Sequence, residues 1–180
     1  MTLYLDIETT GLAATDRLVE IGIVNDAGAV LMQTFVNPQC EIHPGAAAVH
    51  GITADMVAGA PTLDQLLPAL RDLLAAQPHV VIYNAAFDRR FFPAALWRAV
   101  RVDCAMQAVQ ARIGMRVRLQ TAAERAGHVW TGDAHRAVAD ALACRSVWHW
   151  LARGSAVGRT AAPRPLAPRA DEARRRSFPS

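Results

Sequence analysis

Lysine is absent from the chain, and all 19 basic residues are arginine. A coding bias that also enriches alanine accounts for this, and arginine's planar fork equally suits bidentate phosphate recognition, so the absence alone names no partner. Cysteine is scarce. Cys40, Cys104 and Cys144 form an odd, scattered set without the close pairing of a zinc site, which predicts reduced thiols in a reducing compartment and excludes a disulfide-built fold. Long apolar runs are missing: nothing approaches the roughly 18 uninterrupted apolar residues that span a bilayer, so no membrane partner is expected. The opening stretch MTLYLDIETT lacks a basic segment ahead of an apolar one and carries Asp6 and Glu8, unlike a signal peptide. The expected location is cytoplasmic. There is no internal repeat.

What remains is 180 residues with 52% hydrophobic and 19% charged content, enough for one compact domain and too little for two enzymes side by side. The net charge of +3 is unevenly spread: residues 1–150 hold 12 arginines against 14 acids, whereas residues 151–180 hold 7 against 2. After Arg153 the composition turns to Arg, Pro, Ala, Gly and Ser without hydrophobic period. This predicts a folded domain over 1–152 and a basic, disordered tail over 153–180, whose Arg174-Arg175-Arg176 either adds salt-sensitive phosphate contacts or is incidental.

Three β-branched-rich apolar runs at 2–7, 18–24 and 30–36, separated by turns such as Asp26-Ala27-Gly28, predict successive antiparallel strands. A loop with Pro38, Pro44 and Gly45 follows, then a short helical stretch after Thr53. Leu63, Leu66, Leu67, Leu70, Leu73 and Leu74 keep a 3.6-residue period between a Thr62 cap and Pro78, predicting an amphipathic helix. HVVIY at 79–83 reads as a buried strand, 86–99 as a helix of about four turns that tolerates Pro93, and 101–103 as one more strand. Helices are expected at 104–112, at 119–126 ended by Gly127, and at 133–152 capped by Asp133. The order predicts an α/β fold: a mixed sheet flanked by helices.

Three places carry candidate chemistry. Alternation along the first strand puts Asp6 and Glu8 on one face, where two carboxylates are either solvated or in need of cations. Asp88 follows the buried strand at the start of a helix, where it either favours the positive helix N-terminus or, if that strand lies beside the first, joins the other acids. His135 and Asp140 are about 140° apart on a regular helix, so they cooperate only if His135 precedes the helix body. Four converging carboxylates form a hard oxygen-donor site suited to Mg²⁺ or Mn²⁺. Two such ions stabilise the attacking and leaving oxygens of phosphoryl displacement, and a neutral histidine takes a proton from water. The chemistry expected is metal-dependent phosphodiester hydrolysis.

With LDIETTGL at 5–12, VHGIT at 49–53, NAAFDRRF at 84–91 and AHRAVADA at 134–141, the chain resembles the DnaQ-like exonuclease superfamily in its DEDDh subgroup, over about 150 residues. The resemblance implies an RNase H-like, five-stranded mixed sheet and removal of nucleotides from the 3′ ends of DNA or RNA. It implies Asp6, Glu8, Asp88 and Asp140 as ligands of two divalent cations, Mg²⁺ or Mn²⁺, and His135 as general base. Thr9, Gly11 and Leu12 would hold the terminal nucleotide, and His50, Asn84 and Phe87 other parts of the substrate cleft. Tyr83 departs from the pattern, standing where many relatives have histidine. The AAFDRRFFP stretch and the compact length are more similar to the exonuclease X type than to oligoribonuclease, which favours DNA, at ends handled in repair or turnover. The alternatives are a proofreading subunit held by a DNA polymerase, a 3′-5′ exoribonuclease, or an inactive nucleic-acid-binding domain. His43, His79, His128 and His149 match no motif position and are expected to be structural or exposed.

Overall fold

In the computed structural model, residues 1–130 and 135–157 are described. Strands β1 (Leu3–Thr9), β2 (Leu18–Asn25), β3 (Val30–Phe35), β4 (His79–Ile82) and β5 (Arg101–Cys104) form one sheet in the order β3-β2-β1-β4-β5. β1 is central, antiparallel to β2 and parallel to β4. β3 extends the antiparallel half and β5 the parallel half. This is the mixed sheet with three antiparallel N-terminal strands that the sequence predicts. The helices are α1 (Pro44–His50), α2 (Ala54–Val57), α3 (Leu63–Ala76), α4 (Ala85–Asp88), α5 (Ala105–Ile113), α6 (Leu119–Ala126) and α7 (Ala137–Val157).

Period-two alternation along β1 divides the interior into two cores. Leu3, Leu5 and Ile7 point to one face, where they pack with Leu67, Leu70 and Leu74 of α3 and with Trp97. Tyr4 points to the other face and joins Met106, Val109, Ala122 and Val147 from α5, α6 and α7. Asp6 and Glu8 continue the Tyr4 face toward the C-terminal end of β1. α7 comes close to the sheet because its inward residues are small: Ala137, Ala141 and Cys144 are all fully buried. Gly22 of β2 completes that approach, since a Cβ there would lie 2.4 Å from the Ala137 carbonyl carbon.

Three expectations need correction. The segment with Pro44 and Gly45 is not only loop: Pro44 takes the first-turn position of α1, and the His43 side chain accepts the Gly45 N–H at 3.1 Å. A histidine cap and a small-residue helix without apolar period hid it. The long helix expected over 86–99 is instead α4 followed by two 3₁₀ turns, Arg89–Phe91 and Ala94–Trp97, because Pro93 has no N–H to continue the ladder. The last helix starts at Ala137 rather than 133 and runs to Val157, past the expected boundary at 152. Asp133 lies outside the described residues, as does the tail from 158 onward.

Candidate active site

Parallel pairing of β1 with β4 sets Leu5 beside Ile82, so both strands end at the same edge of the sheet. Beyond Ile82 the chain passes Tyr83 and Asn84 into α4, whose last residue is Asp88. This is the condition under which the sequence lets Asp88 join the acids of β1. α7 crosses the same face and brings Asp140 in its first turn. Each of Asp6, Glu8 and Asp140 offers an oxygen, and these atoms lie within 4.8 Å of one another. Asp88 and His135 line the same cleft of about 490 Å³, together with Asn84, Val49 and Gln120.

His135 precedes α7, as cooperation with Asp140 requires. Its φ of 64° lies in the left-handed region, unusual for a residue with a Cβ. Its backbone hydrogen-bonds the Asp140 carboxylate, and its Nε2 lies 3.0 Å from the side-chain nitrogen of Gln120.

Glu20 of β2 fixes this geometry. It is 1% exposed and accepts from Arg136 Nη2 at 2.7 Å, from Arg136 Nε at 3.1 Å and from the Ala137 backbone N–H at 3.1 Å. It thereby caps α7 from the sheet, in the place the sequence gives to Asp133. Register pairs Glu20 with Glu8 and Gly22 with Asp6, so the residues that seat α7 lie directly across from the acids.

The four carboxylates are short of positive charge. Burial, then Asp140 and its neighbours, hold Asp6 well above the ordinary carboxylate range. Glu8 is pushed up to about 8, first by burial and then by Asp140 and Glu20, with Arg136 opposing. Asp88 rises to about 7 through burial, moderated by a backbone hydrogen bond and Arg90. Asp140 rises to about 6, again through burial, with His135 opposing. Crowded, desolvated acids of one sign are stable as anions only beside cations. Four oxygen donors without a thiol fit Mg²⁺ or Mn²⁺, with Asp6, Glu8 and Asp140 as the tight cluster and Asp88 lining the same cleft.

A second, more apolar cleft of about 590 Å³ adjoins the first, sharing Glu8 and Val49 with it. Thr9, Gly11, Leu12 and His50 all line it. Asp16 ties up this loop by accepting from Thr10 Oγ1 at 2.8 Å and from the Ala13 N–H, and a Cβ at Gly11 would meet its Oδ2 at 2.6 Å. Leu12 is left 78% exposed while its carbonyl is held by Arg90 Nη2 at 2.6 Å. His50 is buried with both ring nitrogens engaged. Nδ1 accepts the Ile52 N–H at 3.0 Å, so Nε2 carries the proton and donates to the Thr9 carbonyl at 3.2 Å. His50 therefore shapes the turn and offers a ring wall rather than a spare nitrogen.

Phe87 is not among the residues lining either cleft. Its ring lies 5.2 Å from that of Phe91 and 4.3 Å from the Arg90 guanidinium, a stack that supports the arginine holding Leu12. Of the four unassigned histidines, His79 contacts Asp103, His128 contacts Ser146 and His149 contacts Asp26, all away from the acids. His43 lines the apolar cleft. Sequence reasoning missed Glu20, Val49 and Gln120. Glu20 had a signal, being a lone acid in the apolar strand LVEIGIV that demands a buried partner.

A five-stranded sheet with this order, bearing four acids and a histidine at one edge, defines a nuclease-type site of the DnaQ-like kind. The profile of the RNase_T exonuclease family matches residues 3–147, and the chain belongs to that family. It is 33% identical over 174 residues to an uncharacterized exonuclease of Escherichia phage 186, covering 86% of this chain and 89% of the relative. Among solved structures it is similar to exonuclease X in complex with 5′ overhanging duplex DNA, at 27% identity and a TM-score of 0.68, covering 87% of this chain and 93% of that one. It shares its fold with the nuclease domain of 3′hExo, a DEDDh family member bound to rAMP, at 14% identity and a TM-score of 0.66, covering 85% and 92%. The protein is an exonuclease.

Proposed function

We propose that this exonuclease removes nucleotides from the 3′ end of DNA, leaving a new 3′ hydroxyl and releasing a nucleoside 5′-monophosphate. The observation that carries the reading is the three-carboxylate cluster within 4.8 Å, with Asp88 and His135 lining the same cleft. The adjoining apolar cleft supports a chain end rather than a mid-strand site. Its volume of about 590 Å³ accommodates a terminal nucleoside, for which the exposed Leu12 side chain would offer an apolar contact and the Thr9–Gly11 turn polar groups. The preference for DNA follows the likeness to exonuclease X, whose structure contains a DNA duplex.

Asp6, Glu8, Asp88 and Asp140 would hold two divalent cations, Mg²⁺ or Mn²⁺. Bound there, the ions supply charge for the attacking and leaving oxygens of in-line displacement. His135 lines the same cleft and would receive the proton of the attacking water at Nε2 once that nitrogen is released from Gln120. Its link to Asp140 through the backbone keeps acid and base in fixed relation. Asn84 and Val49 line the same cleft, within which the scissile bond would lie.

The test is a pair of oligonucleotides labelled at either end, made as DNA and as RNA, with Mg²⁺ or Mn²⁺. The reading predicts immediate release of a labelled mononucleotide from the 3′-labelled strand, a descending ladder from the 5′-labelled one, and faster digestion of DNA. A ladder from the 3′-labelled strand would reverse the polarity, and preferential digestion of RNA would make the protein an exoribonuclease.

A further inference from the structure

The acid cleft has a second neighbour. Next to it lies a groove of about 430 Å³, lined by Tyr83, Asn84, Met106, Arg116, Arg118 and Leu119 together with Val117. Tyr83, Asn84, Arg118 and Leu119 also line the acid cleft, so the two are continuous. Among its described lining residues this groove has two arginines and no acid, whereas those of the acid cleft include four acids and Arg118. Arg116 and Arg118 are both exposed and sit two residues apart in the connection between α5 and α6.

That connection is held in place. The Tyr83 hydroxyl donates to the Val117 carbonyl at 2.8 Å, between the two arginines. Arg116 donates through its guanidinium Nε to Met106 Sδ at 3.0 Å, which holds that group against α5. Tyr83, which lines both the acid cleft and this groove, thus ties the end of β4 to the arginine pair.

We propose that Arg116 and Arg118 form a phosphate-binding strip for the nucleotides upstream of the one removed, and that Tyr83 is the residue that positions it. This rests on the exonuclease reading above. The terminal nucleoside occupies the apolar cleft beside Glu8, the scissile phosphate lies over the acids, and the rest of the strand leaves past Asn84 along the basic groove. Guanidinium forks suit such phosphates, and exposed ion pairs of this kind make binding fall with salt.

The experiment measures kcat and KM on a 5′-labelled single-stranded oligonucleotide across a salt series. Replacing both residues, Arg116→Gln with Arg118→Gln, is expected to raise KM about tenfold near 0.1 M salt and to flatten log KM against log salt by roughly 1.4, about 0.7 for each phosphate no longer neutralised. The effect falls on KM rather than kcat. The double lysine variant, Arg116→Lys with Arg118→Lys, restores most of the salt slope because the charge remains. Tyr83→Phe raises KM severalfold by loosening the strip, while Arg71→Gln, on the opposite face in α3, leaves KM and slope as they are. Wild-type KM and slope in the double glutamine variant would overturn the proposal. Failure of the wild-type enzyme to shorten any oligonucleotide would instead overturn the exonuclease reading beneath it.

Discussion

Asp6 and Glu8 show how far single residues carry meaning before any fold is known. Alternation puts them on one face, and that much was readable from LDIET. Whether they were solvated or gathered was not, because the answer depends on Asp88 and Asp140, 82 and 134 positions further along the chain, reaching the same edge. His135 was harder still: only its left-handed backbone, set before α7, lets it share a cleft with an aspartate five residues on. The site residues therefore make separable predictions. Asp6→Asn, Glu8→Gln, Asp88→Asn and Asp140→Asn should each lower kcat by about a hundredfold or more, since each removes charge that acts on the reacting phosphate. In chelator the same substitutions should raise the melting temperature, because each relieves the crowding that holds these acids above their ordinary range. A melting temperature that falls in all four variants would show the carboxylates to be already compensated. His135→Ala should reduce kcat with little change in metal-dependent stabilisation, which separates the proton acceptor from the ligands.

At the scale of elements, the decisive packing is α7 against β2. The small residues of α7 and the glycine in LVEIGIV were visible in the sequence, yet neither announces the other. Close approach is a property of the pair: a glycine Cβ clash at 2.4 Å exists only once the helix is in place. Glu20 completes the seat by closing on Arg136 and capping Ala137. Gly22→Ala should therefore push the start of α7 off the sheet, at a cost of about 1–3 kcal/mol from overpacking. Glu20→Ala should cost about 2–4 kcal/mol, because it removes the buried carboxylate that accepts from Arg136 and leaves the Ala137 helix N–H uncapped. Both should lower kcat although neither residue lines the acid cleft, and paired measurements of melting temperature and kcat would check this. Full activity in Gly22→Ala would mean that His135 and Asp140 do not depend on this seat. The helices missed or broken at 44–50 and 86–99 lie where a histidine cap and Pro93 override hydrophobic period.

For the whole molecule, the uneven charge that composition shows has a counterpart in stability. Folding raises the pKa of the site acids, so the native state keeps protons that the unfolded chain gives up. Their contribution is fully present below the ordinary carboxylate range near 4 and is lost as pH rises through about 6 for Asp140, 7 for Asp88 and 8 for Glu8. In chelator, the difference in melting temperature between the wild type and Asp88→Asn should widen in favour of the variant from pH 5 to pH 9. Mg²⁺ or Mn²⁺ should raise the wild-type melting temperature, more at pH 9 than at pH 5, because the ions bind the ionised acids of the folded state. A pH-independent metal effect would place the bound ions elsewhere.

The central claim is that these four carboxylates, loaded with divalent cations, make this fold an exonuclease acting at 3′ ends. The most direct measurement is digestion of a 5′-labelled DNA oligonucleotide by the wild type and by Asp6→Asn, with Mn²⁺, with chelator, and with Mn²⁺ restored after chelation. The predicted result is a 3′-to-5′ ladder that vanishes in chelator, returns with Mn²⁺ and is absent from Asp6→Asn throughout. Digestion that persists in chelator, or that Asp6→Asn carries out at the wild-type rate, would contradict it.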